Sequence, residues 1–118
     1  MAELYWYSAK CLNVVDGDTV DLDVDLGFGT HIHDRFRLAG INTPEISGVA
    51  KDTPEYLAGI AAKERVTGLI LNKTILVHTK KNPKDKYGRY LAYLFVGDVN
   101  VNDLLVTEKL AVPYMING

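Results

Sequence analysis

A chain of 118 residues, 47% hydrophobic and 24% charged, has the profile of one globular domain and excludes disordered, collagen-like and membrane-embedded chains. Its formal charge of -2 gives no general attraction for nucleic acid, so binding of that kind must rest on a local patch such as Lys80, Lys81, Lys84 and Lys86. The lone Cys11 excludes an internal disulfide, and its place in an alternating apolar stretch makes it a small core residue.

Met1 to Lys10 carries neither a basic leader nor an apolar core, so no signal or membrane span is expected. The expectation is a cytoplasmic protein, or a secreted one if a signal has been removed. Residues 1–118 contain no repeat or linker-like stretch and are expected to form a single domain.

Leu4 to Val15 reads as a first strand, and Asp16-Gly17 supplies turn chemistry for a hairpin. Val20, Leu22, Val24 and Leu26 then alternate with Asp21, Asp23 and Asp25, the period-two pattern of a strand with one apolar face. The three aspartates are expected only to solubilise the other face. Gly27-Phe28-Gly29 breaks this strand, and His31 to Ile41 makes a third.

Asp52-Thr53-Pro54-Glu55 opens a helix, with an Asp or Thr cap, proline in the first turn and an acid near the positive end of the dipole. The helix is expected to run to about Leu71, with Ala62, Val66, Leu69 and Ile70 facing the core. Leu57 and Ile60 fit that stripe poorly. Thr74 to Thr79 and Leu91 to Val96 read as strands four and five, Asn102 as the cap of a short last helix carrying Leu104 and Leu105, and Pro113 as the end of regular structure. A mainly β fold follows: a five-stranded OB-type barrel, with a helix between strands three and four and a short C-terminal helix, closed so that no sheet edge is left.

Three clusters carry chemistry. Asp18 falls in phase with Val20, Leu22 and Val24, and a carboxylate on an apolar side is costly unless it is paired or bound to a cation. An Asx-type turn cap is the alternative. Arg37 then leads into Gly40-Ile41-Asn42-Thr43-Pro44-Glu45, a loop offering carboxylate, amide and carbonyl oxygens of the kind that hold calcium. Thr-Pro-Glu also reads as a helix start. Asp85-Lys86-Tyr87-Gly88-Arg89 projects a second arginine, and two arginines on different strands are able to embrace a phosphate. By itself this is an ordinary hairpin turn. A zinc reading of His31, His33 and His78 lacks a completing cysteine or acid pair.

In order and spacing, Val15-Asp16-Gly17-Asp18-Thr19, Phe36 through Glu45, and Asp85 through Tyr93 resemble the staphylococcal nuclease family over about Val14 to Leu110. The resemblance implies a calcium-dependent nuclease acting on DNA or RNA, expected to be an endonuclease and a monomer. It implies Asp18, Asn42 and the Thr43 carbonyl as calcium ligands, Glu45 as general base, and Arg37 and Arg89 on the phosphate. Lys84, Lys86 and Tyr87 would contact neighbouring phosphates, and Tyr114 would stack on a base. The family commonly has a second aspartate where this chain has Asn42, which removes one negative charge from the cation seat. A module of the same ancestry that binds nucleic acid or a protein without cleaving is the alternative, and the acidic net charge is its best support.

Overall fold

The computed structural model describes residues 4–79 and 88–114. Strand β1 (Trp6–Asp16) buries Ala9, Cys11 and Val14, and β2 (Thr19–Gly27) buries Val20, Leu22 and Val24, so alternating apolar residues of both strands build one side of the core. Register shifts between Cys11 and Asn13 and between Val14 and Asp16 add curl to β1, which lets a sheet of few strands close. Leu26 is 38% exposed and does not continue the inward face, because a shift between Asp25 and Gly27 ends the regular pairing at the hairpin tip. Asp21, Asp23 and Asp25 do more than solubilise. Asp21 pairs with Arg35 at 2.8 Å, Asp23 accepts both His31 and His33 at 3.0 and 3.3 Å, and Asp25 caps the Gly27 amide.

The third strand, β3 (Thr30–Leu38), is shorter than its sequence pattern. Gly40 adopts φ +77 and turns the chain, and Ile41–Asn42 forms a separate short strand, β4. Helix α1 (Pro54–Ile70) begins where Thr53 accepts the Tyr56 amide, and it buries Gly59, Ala62, Val66 and Ile70. Leu69 is only half-buried and Leu57 lies 59% exposed. Gly59 is a site of close approach: a Cβ there would meet the Pro44 carbonyl at 2.7 Å, so glycine lets the loop after β4 lie on the helix. The end of α1 is tied to β1 by the Asn72 amide on the Cys11 carbonyl at 3.0 Å.

Strands β5 (Thr74–His78) and β6 (Tyr90–Val96) complete the barrel. The order β3-β2-β1-β5-β6 closes on itself through a parallel pairing of β3 with β6, Arg37 opposite Leu91. β7 (Val99–Asn100) extends the sheet, and α2 (Val101–Thr107) packs onto β6. The expected five-stranded barrel with a helix between its third and fourth barrel strands is therefore present. Among the described residues regular structure ends at Pro113, as the last residue of a short strand, β8 (Val112–Pro113), which pairs with β4 and places the residue lacking an N–H on an edge.

Asn102 is not the cap of α2. Asn100 takes that role by accepting the Asp103 amide, while Asn102 lies 1% exposed inside the helix. Its amide donates to the Ala39 and Ala92 carbonyls and accepts from the Leu94 amide, at 2.8, 3.1 and 3.1 Å. It thus fastens α2 to β6 and to the end of β3. Asn102→Ala leaves the Leu94 N–H and the Ala39 carbonyl without these partners, at about 1–3 kcal/mol each. Urea unfolding should show a loss of about 3 kcal/mol; a loss under about 1 kcal/mol would mean that water replaces the amide.

Candidate active site

The site grows from the β1–β2 turn. The Asp18 amide donates to Asp16 Oδ1 at 3.1 Å, so Asp16 and not Asp18 makes the Asx-type contact. That leaves the Asp18 carboxylate to face the barrel rim, where it is 7% exposed. Its Oδ2 accepts the Thr43 amide at 3.0 Å, its Oδ1 accepts the Thr19 hydroxyl at 3.1 Å, and Arg37 Nη1 lies 3.6 Å away. Gly17 permits this packing, since a Cβ there would come within 2.7 Å of Ala62 and 2.9 Å of Thr43.

Burial alone would raise the Asp18 carboxyl. The hydrogen bonds with Asp16, Thr43 and Thr19, together with the Arg37 charge, instead hold it below the usual carboxylate range. Burial first, and then the bond with Asp18 and its charge, push the Asp16 carboxyl up to about 6. Two acids side by side are thus forced apart, with Asp18 the one kept ionised.

Arg37 leaves β3 opposite Thr19 and is 8% exposed. Its guanidinium turns onto the β3–β4 turn, donating to the Leu38 and Ile41 carbonyls at 3.4 and 3.2 Å and to Asn42 Oδ1 at 3.0 Å. Arg89, just before β6, donates to the Thr19 hydroxyl at 3.3 Å. Thr19 therefore links Arg89 to Asp18, a role the sequence reading missed although Thr19 stood in its motif. Tyr114 is 47% exposed, with Arg37 Cζ 5.6 Å from its ring centre, and its amide donates to the Gly40 carbonyl at 2.8 Å.

Glu45 is exposed and lines a cleft of about 370 Å³ with Asn42, Thr43, Pro44, Glu55 and Lys109. That volume is in the range of small-ligand sites. Glu55 reads in the sequence only as the acid of a helix start and Lys109 carries no signal there; the fold alone brings both to this cleft. Lys84, Lys86 and Tyr87 lie outside the described residues. The histidines do not assemble: His31 and His33 stand on β3 against Asp23, while His78 on β5 stacks on Trp6 at 4.2 Å.

Fold and rim together define an OB-type barrel with an ionised carboxylate and two arginines gathered where the β1–β2 turn meets β3 and the start of β6. The family model described as staphylococcal nuclease homologue matches residues 35–118. The chain is 39% identical to a thermonuclease of Staphylococcus intermedius over 83% of its own length and 54% of that protein's. It is 33% identical to a thermonuclease of Staphylococcus hyicus over 86% of its length and 56% of the relative. An uncharacterized protein of Methanocaldococcus jannaschii is also 33% identical, over 94% of this chain and 61% of that one. The chain belongs to the staphylococcal nuclease family, a nuclease family, and spans a little over half the length of these relatives. Among the described residues no helix is long and apolar enough to cross a membrane.

Proposed function

We propose that this chain is a calcium-dependent nuclease that hydrolyses phosphodiester bonds within strands of DNA or RNA. The observation that carries the reading is the buried Asp18 carboxylate, held ionised between Arg37 and the Thr43 amide and joined to Arg89 through Thr19. An ionised acid at the rim of a barrel, with guanidinium groups beside it, suits a cation and a phosphate together.

Among the described residues no three His, Cys, Asp or Glu side chains are grouped to hold a metal, so a cation here rests on a mixed oxygen set. Asp18, the Asn42 amide oxygen and the Thr43 carbonyl fit calcium as hard donors. When bound, calcium supplies Lewis-acid polarisation of a phosphoryl oxygen. Glu45 takes a proton from the attacking water as its oxygen bonds to phosphorus and the bond to the leaving sugar oxygen breaks. Arg37 and Arg89 hold the phosphate, and Arg37 must release Asn42 to donate Nη2. Lys84, Lys86 and Tyr87 contact flanking phosphates, and Tyr114 stacks on a base.

One observation favours the alternative of a binding module: Arg37 is spent on protein groups and turned inward. Release of acid-soluble nucleotides from single-stranded DNA, with calcium and then with a chelator, decides between the readings. Cleavage that survives chelation removes calcium from the proposal, and binding without cleavage across a calcium titration establishes the module. Asn42→Asp restores a negative charge to the seat and is expected to lower the calcium needed for half-maximal activity about tenfold. An unchanged calcium dependence would exclude Asn42 as a ligand.

A further inference from the structure

Lys109 stands just past the end of α2 in a conformation that its residue type disfavours. Its φ is +63, a left-handed value at a position where helices usually carry glycine or asparagine. Among the described residues six glycines take positive φ, and besides Lys109 only Tyr5, Phe28 and Asn72 do so without being glycine. Asn72 is a type that tolerates it, Phe28 sits between two glycines at the β2–β3 hairpin tip, and Tyr5 precedes β1. None of these three lines the cleft, whereas Lys109 does, with Glu45 and Glu55.

The backbone on either side of Lys109 is fixed. Glu108 receives Arg65 of α1 through two contacts of 2.8 Å, and the Leu110 and Ala111 amides both donate to the Leu105 carbonyl, at 2.9 and 3.1 Å. Further on, Val112 pairs with Asn42, so this turn is held against the loop of the proposed cation seat. A strained residue kept in place by such contacts points to use of its side chain. A charge that merely favours the helix end is equally well placed in the last turn at ordinary φ, where α2 has no basic residue. Glu45 and Glu55 make the cleft acidic, and Lys109 is the one basic residue among the described residues that line it. Its side chain is exposed and makes no ion pair among the described residues.

We propose that Lys109 is a substrate-binding residue whose ammonium group takes the phosphate next to the one being cleaved, where the bound strand crosses the cleft. The inference rests on the nuclease reading, which sets the reacting phosphate among Arg37, Arg89 and Glu45. A flexible ammonium acts here as a point charge. It offsets the repulsion of two carboxylates for the incoming strand without touching the reacting atoms, so its effect falls on binding and not on the chemical step.

Three substitutions separate charge from backbone. Lys109→Met keeps the stem and the left-handed backbone but removes the charge, Lys109→Gly removes charge and strain together, and Lys109→Arg keeps the charge. A labelled oligothymidylate of about 8 nucleotides, with phosphorothioate linkages that resist cleavage, is titrated in calcium and read by anisotropy from about 50 to 300 mM salt. At the lowest salt the Met and Gly variants should bind about fivefold more weakly, the slope of log affinity against log salt should fall by about 0.7, and the Arg variant should match wild type. On an ordinary strand KM should rise by the same factor with kcat little changed. In urea the Gly variant should unfold at a midpoint no lower than wild type, and a lower one would overturn the reading of Lys109 as strained.

Wild-type affinity and slope in both neutral variants, with cleavage intact, overturns the contact and keeps the hydrolase. Weaker binding with an unchanged slope, or an equal loss in Lys109→Arg, means that shape and not charge is read, and also overturns the contact. A wild type that binds through Lys109 yet leaves an ordinary strand uncut in calcium keeps the contact and overturns the hydrolase. Absence of both binding and cleavage overturns the two together.

Discussion

Arg37→Ala is expected to lose both stability and cleavage, whereas Arg89→Ala loses cleavage with the smaller loss of stability. Arg37 is 8% exposed and faces the buried Asp18 carboxylate at 3.6 Å while holding the Leu38 and Ile41 carbonyls. Removing it leaves a buried negative charge without its counter-ion, a change that costs about 3–5 kcal/mol in comparable pairs. Arg89 is half-buried before β6, and its hydrogen bond to the Thr19 hydroxyl is a long one at 3.3 Å. Being more exposed than Arg37, it should cost less stability when removed than Arg37 does. In the proposed mechanism each arginine supplies charge to the same phosphate, and removal of one such donor typically lowers the rate by about 10²–10³. Urea unfolding and single-turnover cleavage of the same samples separate the two effects. Equal stability losses would mean that Arg89 is as embedded as Arg37. Full activity in Arg89→Ala would leave the phosphate without its second arginine and the proposed chemistry without support.

The same contrast shows where the sequence was legible. Valine and leucine at every second position of β2 fix its inward face, and the in-phase Asp18 is buried as that pattern suggests, although it sits in the turn before β2, where its bond to the Thr43 amide holds it. The helix start at Thr53 is legible for a similar reason, since cap, proline and acid all act within four residues. The direction of the Arg37 guanidinium is not local. It follows from the turn at Gly40, which folds the Leu38 and Ile41 carbonyls back over β3. Asn102 illustrates the limit best. Asn at a helix start suggests a cap, but two asparagines, Asn100 and Asn102, compete for that position, and only the docking of α2 on β6 shows which one is buried. Strands β4 and β8 are two residues each and make sense only as partners brought together by the closed barrel. Their pairing places Asn42 opposite Val112, and so sets one wall of the cleft with a segment 70 residues away in the chain.

That wall bears on the choice of general base, for which Glu45→Gln is the decisive substitution. Glutamine preserves the shape and one hydrogen-bond acceptor of an exposed side chain, so unfolding should change by no more than about 0.5 kcal/mol. What it removes is the capacity to accept a proton. A positioned base contributes about 10²–10⁴ in rate, and the loss should fall on kcat with KM little altered, because no contact to bound strand is deleted. Glu55 lines the same cleft from the first turn of α1, where the helix dipole favours its negative charge. Its position on the helix makes Glu55→Gln the natural comparison, expected to lose less than about tenfold. If kcat instead collapses in Glu55→Gln and survives in Glu45→Gln, the base belongs to the helix and the loop acid merely shapes the cleft. If both variants keep kcat, neither carboxylate takes the proton, and the role of Glu45 reduces to ordering water beside Asn42 and Thr43.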